Sequence, residues 1–246
     1  MRSVAALAAC PVVQHAWFVR LVSWSGAIVF ALSLAYGVRA YVVVFAQVAP
    51  PGSPWFAPAL VNVLLFSAFA LHHSVLARTG VKDAVNRLAG PELERPLYVW
   101  LSSLLFLACC HWWQPLPGTV YAWPPPWEPV WIGVQWLGGL LTAIAARRLD
   151  VLALAGLRPA RTDAPLQPLE TTGLYGWVRH PIYFGWILLV CGAPVMTMTR
   201  ASFAVTSILY LVVAVPFEER GLVAAYGDTY RAYQRRVRAR LVPGLY

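Results

Sequence analysis

Apolar residues in this chain come in long runs, separated by short polar or proline-rich segments. The first run extends from about Leu21 to Val48, with Arg39 near its far end. "APPGSP" then stops it, because consecutive prolines remove backbone donors and clash with the preceding turn. A second run covers about Ala57 to Ala77, followed by the polar, basic stretch "RTGVKDAVNRLAGPELER" and a third run from about Leu97 to Trp113. "QPLPGTVYAWPPPWEP" leads to a fourth run, about Val130 to Ala146, which ends in "RRLD". After a polar stretch over 158–172, two more apolar pieces, about 182–198 and 201–217, are joined at "APVMTMTR" and read as a tight helical hairpin. The tail, 218–246, is amphipathic and Arg-rich. Runs near 20 residues have the length a helix needs to cross a bilayer. The pattern predicts an all-α fold, a polytopic transmembrane helix bundle with about six crossings including the C-terminal hairpin. One domain over 1–246 is expected, with membrane helices 1–4 in 17–161 and the hairpin and tail in 162–246.

Composition agrees. Of 246 residues, 59% are hydrophobic and only 12% charged, and the mean hydropathy is +0.61. A soluble domain carries about a quarter charged residues. Net charge is +9, but the bases lie in the short segments between runs and in the tail. That is the distribution of membrane anchoring, and no nucleic-acid-binding motif accompanies it. By the positive-inside rule, Arg20, the 78–95 and 147–161 loops and the tail are cytoplasmic. The 49–56 and 114–129 loops, without Lys or Arg, are outside. Arg39 and Arg200 break the alternation and are expected to snorkel to the outer interface. Trp112, Trp113 and "AWPPPW" read as an interfacial aromatic belt. The four cysteines, Cys10, Cys109, Cys110 and Cys191, show no CxxC spacing, so no metal is expected. "LAAC" ends at Cys10 after an apolar stretch shorter than the roughly 7–15 residues of a signal core, and reads as an ordinary N-terminus.

The chemistry concentrates in "GLYGWVRHPIYFGW", residues 173–186. Arg179 and His180 stand directly before Pro181 and an apolar helix. One reading makes His180 a helix cap and Arg179 a headgroup anchor. The hairpin, however, starts at "RHPIY" and returns to "EER", which brings His180 and the pair Glu218–Glu219 to one membrane depth. Acidic residues at the end of an apolar segment are costly unless paired or functional. They suit either an ion pair with Arg179 or a cationic ligand. Leu222, Tyr226, Tyr230, Tyr233 and Val237 recur at spacings of three and four, one stripe of a helix. Extended backward, that stripe favours Glu219 over Glu218, although Gly227 lies between as a helix breaker. His72, His73 and Ser74 lie near the cytoplasmic end of the second run. Adjacent helical residues point about 100° apart, so at most one histidine faces a site squarely.

"TTGLYGWVRHPIYFGW", then "EERGLVAAYGDTYRAYQRRV" and the closing Pro243, resemble the C-terminal signature of integral-membrane methyltransferases. That group includes the isoprenylcysteine carboxyl, phospholipid and methanethiol S-methyltransferases. "HHSVLARTGVK", "ELERPLYVWLSSLL", "WWQPLP" and "GAPVMTMT" resemble segments of the methanethiol branch in the same order. The resemblance implies S-adenosylmethionine as cofactor, bound by the 162–246 region. It places the cofactor against Gln167, Pro168, Leu169 and Glu170, largely through backbone groups, with Tyr175, His180, Pro181, Ile182 and Tyr183 lining its pocket. Glu218 would take the cofactor's ammonium, with Glu219 its neighbour. Two departures stand out: isoprenylcysteine members have a histidine where this chain has Gln167, and a substrate-contacting arginine where it has Ala214. With no GxGxxG, a soluble Rossmann-type enzyme is not indicated.

The implied activity is methyl transfer to a small thiol, most of all methanethiol, giving dimethyl sulfide. His180, Arg179 and His73 are the candidates to help the thiol lose its proton, and the sequence does not choose among them. Alternatives are methylation of an isoprenylcysteine carboxylate or a phospholipid amine, or a non-enzymatic membrane protein or transporter linked to nitrogen-oxide metabolism. Against transport, the chain shows no internal repeat. The expected partners are the thiol and the bilayer, without nucleic acid or metal. The expected location is a bacterial inner membrane, with the cofactor site facing the cytoplasm.

Overall fold

The computed structural model describes residues 16–76, 79–148, 152, 155–157 and 168–246, without the side chains of His73, Leu76 and Thr79. Cys10, Arg78 and Gln167 therefore lie outside the described residues. The first run folds as α1, Ala16–Arg39, and continues into a single π-turn over Ala40–Val44. Next come α2 (Phe56–Leu76), α3 (Thr79–Ala89), α4 (Pro91–His111), strand β1 (Thr119–Ala122) and α5 (Glu128–Ala146). A 3₁₀ turn at Gly173–Gly176 precedes α6 (Pro181–Cys191), strand β2 (Val195–Thr197), α7 (Met198–Tyr226) and α8 (Asp228–Arg236). Ala16–Val44, α4, α5 and α7 are long and apolar enough to cross a bilayer, and α6 and Phe56–His72 are shorter apolar helices. The protein is an all-α membrane bundle with one small sheet. Large apolar side chains such as Leu21, Trp136 and Val213 stay on the outside, where lipid rather than water is the solvent.

Part of the basic 78–95 segment is helical rather than loop. In α3 the polar and apolar residues separate onto opposite faces, and Pro91 occupies the first turn of α4, where a missing N–H costs nothing.

The hairpin differs from two simple helices. At 1.5 Å per residue, the 11 residues of α6 cover about 16 Å, half of a roughly 30 Å hydrocarbon core. The chain then runs extended through Pro194 into β2, which pairs antiparallel with β1. Non-helical backbone at membrane depth persists only where protein satisfies its polar groups. Here side chains do so: Gln135 donates to the Leu189 carbonyl at 3.1 Å, Tyr41 to Val190 and Tyr121 to Cys191 at 2.8 Å. Arg200 completes the set. It is buried, not snorkelled, and its guanidinium donates to the carbonyls of Tyr41 (3.1 Å), Val42 (2.6 Å) and Val195 (2.6 Å). Trp113 likewise leaves the expected belt, buried among Phe45, Phe66 and Phe203 in the core beneath the sheet.

Two glycine contacts fix α6 against α5. A Cβ on Gly138 would meet the Gly185 carbonyl oxygen at 2.5 Å, and one on Gly185 would run into Thr142 Oγ1. Only hydrogen at these positions lets the two backbones touch. That close approach sets where the N-terminus of α6 lies, and with it Arg179 and His180.

Candidate active site

At the head of α6, Pro181 takes the first helical position and His180 the N-cap, but the His180 ring makes no capping bond. It turns inward instead. The backbone N–H groups of Arg179 and His180 donate to the carbonyls of Ala239 and Arg240, each at 3.0 Å, so the C-terminal tail straps this segment in place. The anchor reading of Arg179 fails for the same reason. Its side chain is buried: Nε donates to Glu219 Oε1 at 2.6 Å and Nη2 to Oε2 at 3.3 Å, while Nη1 reaches the carbonyls of Val237 and Arg238.

Glu219 is the centre of this buried network. Tyr230 OH (3.4 Å) and Gln234 Nε2 (3.2 Å) donate to it, and Arg240 Nε lies 3.6 Å away. Glu218 points the other way. It accepts from Tyr183 OH at 2.9 Å and remains 44% exposed. His180 stands between the two carboxylates, with Nε2 3.4 Å from Glu219 and Nδ1 3.7 Å from Glu218, and its ring stacks on Tyr183 at 5.4 Å. The adjacent glutamates thus do different jobs: one is locked into protein, the other faces open space.

That space is a cavity of about 280 Å³. Pro168, Leu169, Glu170, Tyr175, Arg179, His180, Pro181, Ile182, Tyr183 and Glu218 all line it. Glu219 is buried behind it, the His73 side chain and Gln167 lie outside the described residues, and His73 itself sits on α2. Arg148, Leu222, Tyr226, Tyr230 and Tyr233 complete the lining. The tyrosines carried a signal in the three-and-four spacing; Arg148 carried none beyond its place among the basic anchors. Gly227 explains how the stripe folds over. With φ +55°, a conformation costly for any residue with a Cβ, it ends α7 and swings α8 back so that Tyr230 and Tyr233 pack with Leu169.

Electrostatically, the cavity sets two carboxylates, Glu170 and Glu218, among aromatic faces. Hydrogen bonds from the Thr172 hydroxyl and backbone, with Arg148 nearby, hold the Glu170 carboxyl below the usual carboxylate range, so it stays charged. Burial pushes the Tyr233 hydroxyl up to about 12 and raises those of Tyr175 and Tyr230. These phenols therefore remain neutral donors, and Tyr233 donates to the Tyr175 carbonyl at 2.7 Å. Carboxylates beside aromatic faces suit an organic cation. Among the described residues, no group of three or more His, Cys, Asp or Glu side chains is placed to hold a metal ion.

Residues 134–237, which carry most of this site, match the family described as "Protein of unknown function (DUF1295)". The chain is 40% identical over 194 residues to methanethiol S-methyltransferase 2 of Bradyrhizobium diazoefficiens, covering 76% of this chain and 74% of that protein. With methanethiol S-methyltransferase of Mycobacterium tuberculosis the identity is 35% over 184 residues, 72% of this chain and 75% of the relative. Nurim of Xenopus laevis is more distant, 27% over 170 residues, 61% and 58% of the two chains. No solved structure matches.

Proposed function

Because the chain belongs to the methanethiol S-methyltransferase family, we propose that it transfers a methyl group from S-adenosylmethionine to methanethiol, releasing dimethyl sulfide. The observation that carries this reading is the orientation of Glu218 into a tyrosine-lined cavity at the head of α6. When bound, S-adenosylmethionine supplies a methyl group activated by a positively charged sulfur. Glu218 would hold its ammonium, the cavity tyrosines would offer their faces to its cationic part, and Pro168–Glu170 would hold it from the loop side. His180 has both ring nitrogens facing carboxylates. It orients Glu218 and Tyr183 rather than taking the acceptor's proton, and Arg179 holds Glu219 beneath it.

A thiol attacks as its thiolate. The cofactor's positive charge favours that anion at the site, and the proton goes to solvent as the thiolate binds. The thiolate sulfur then forms a bond to the methyl carbon while the donor's carbon–sulfur bond breaks, its electron pair remaining on the donor sulfur. Alignment and exclusion of water are the protein's contribution. With Ala214 in the matched position, the run from Ala201 to Phe217 holds no cation to clamp a carboxylate acceptor, so prenylcysteines are disfavoured.

The region from 162 to the C-terminus is proposed as the cofactor-binding part of one domain over 1–246. The site is placed on the cytoplasmic side of a bacterial inner membrane. Reporter fusions at Gly52 and Gly118 should then read outside and one after Arg238 inside; the reverse pattern would separate the cavity from its cofactor. For the reaction, purified membranes are incubated with methyl-labelled S-adenosylmethionine and a panel of thiols, prenylcysteines and phospholipids. Labelled dimethyl sulfide, formed faster as pH rises and more thiolate is present, is the expected result. Label in a prenylcysteine ester or a phospholipid, with none in dimethyl sulfide, overturns the assignment.

A further inference from the structure

Tyr183 on α6 and Glu218 on α7 line the cavity, and a second polar cluster is built on α2, α4 and α7. Ser74 Oγ on α2 and Tyr210 OH on α7 are 3.2 Å apart. His72 Nε2, also on α2, is 3.3 Å from Ser102 Oγ on α4, and its ring stacks on Tyr98 at 6.0 Å. The Arg95 guanidinium stands 5.1 Å over the Tyr98 ring. Tyr183 and Tyr210 pack against the same buried cluster of Leu211, Val215 and Leu241, and Tyr98 and Tyr210 both meet α2, through His72 and Ser74. Neither Tyr98 nor Tyr210 lines the cofactor cavity. Polar and ionisable groups grouped this way inside apolar helices are costly and mark functional sites by default.

We infer that this cluster is the acceptor subsite: the thiolate sulfur docks between Tyr210, Tyr98 and Tyr183 and accepts hydrogen bonds from the Tyr210 and Tyr98 hydroxyls. The inference rests on the methyl-transfer reading above. In-line displacement needs the nucleophile on the far side of the methyl carbon from the donor sulfur. Tyr183 lines the cavity and packs with Tyr210 against one buried cluster, so its side of the cavity is the one that adjoins this polar group. Hydroxyl donors suit a small anion of diffuse charge, and Ser74 can donate to Tyr210 while Tyr210 donates to sulfur. Arg95 adds positive potential from the first turns of α4.

The test is steady-state kinetics with methanethiol, together with S-adenosylmethionine binding, on wild type, Tyr210→Phe, Tyr98→Phe and Ser74→Ala. Each phenylalanine keeps the ring packing and removes one donor to a charged acceptor. Tyr210→Phe and Tyr98→Phe should lower kcat/KM by about 10- to 100-fold, mainly through KM, with cofactor affinity unchanged; Ser74→Ala should act in the same direction and less. Wild-type kcat/KM in Tyr210→Phe overturns the subsite, as does cofactor affinity that falls in parallel with it. Should Tyr210→Phe not accumulate in membranes, Tyr98→Phe is judged by the same two outcomes. Absence of methanethiol methylation by the wild type is a different result, and removes the functional reading itself.

Discussion

Two arginines, at opposite ends of the hairpin, are buried to the same degree, Arg179 at 8% exposure and Arg200 at 7%. Their surroundings are unlike. Arg179 is paired bidentately with Glu219 beside a cavity. Arg200 has three backbone carbonyls as acceptors and the ring of Tyr41 at 5.7 Å. The first is part of an ionic network that holds His180 and Glu219 together beside the cavity. The second closes an irregular stretch of backbone that lipid could not solvate. Burial of a charge therefore does not by itself mark function; what distinguishes the two is whether a counter-charge and an open space lie next to it.

The largest effect should come from separating Arg179 and Glu219. Arg179→Met leaves a buried carboxylate without its main partner and should cost about 3–5 kcal/mol of stability, read by denaturant unfolding in detergent. The double variant Arg179→Met/Glu219→Leu should recover most of that stability, since an apolar pair often replaces a buried ion pair at little cost, yet remain inactive. A double variant as unstable as the single one would show that the ion pair is not what binds this end together.

Glu218→Gln tests the open side of the same network. Cofactor affinity should fall by about 1.5–3 kcal/mol, the range for a charge-assisted hydrogen bond, with stability changed by no more than about 0.5 kcal/mol. Unchanged affinity in a calorimetric titration would argue that the cation lies elsewhere. Arg200→Met gives the contrasting result. Carbonyls left without a donor should cost about 1–3 kcal/mol in stability, while the folded protein binds cofactor as before. A tenfold loss of affinity in this variant would couple the two ends and erase the distinction. The smallest effect is expected for Tyr233→Phe, which removes one bond to the Tyr175 carbonyl and should cost about 0.5–1.5 kcal/mol while cofactor still binds.

Much of this was legible from residue order. Run lengths located Ala16–Val44, α4, α5 and α7, because a helix that crosses must cover a fixed thickness of hydrocarbon. "RHPIY" and "EER" marked two segments that meet at one cavity, since polar groups inside apolar segments carry a cost that something must offset. The tyrosine stripe was visible in its spacing. The short α6 and the β1–β2 pair were not, because nothing local to "APVMTMTR" shows that Tyr41, Tyr121 and Gln135 arrive from three other segments to hydrogen-bond the last carbonyls of α6, or that Arg200 turns back onto Val195.

Helix periodicity, run length and charge are local properties, and they determined that this chain is a membrane helix bundle with its polar cluster at one end. The partners of Arg179 and Arg200, and the division of work between Glu218 and Glu219, depend on residues distant in sequence. Neighbouring positions on α7 point about 100° apart, so one glutamate had to face the cavity and the other the protein. Which did so was decided by the turn at Gly227 and the strap at Ala239–Arg240, which carried Tyr230, Gln234 and the Arg179 backbone to Glu219's side. Tertiary structure alone supplied that choice, because the free energy of a buried charge depends on its three-dimensional neighbours rather than on its place in the chain.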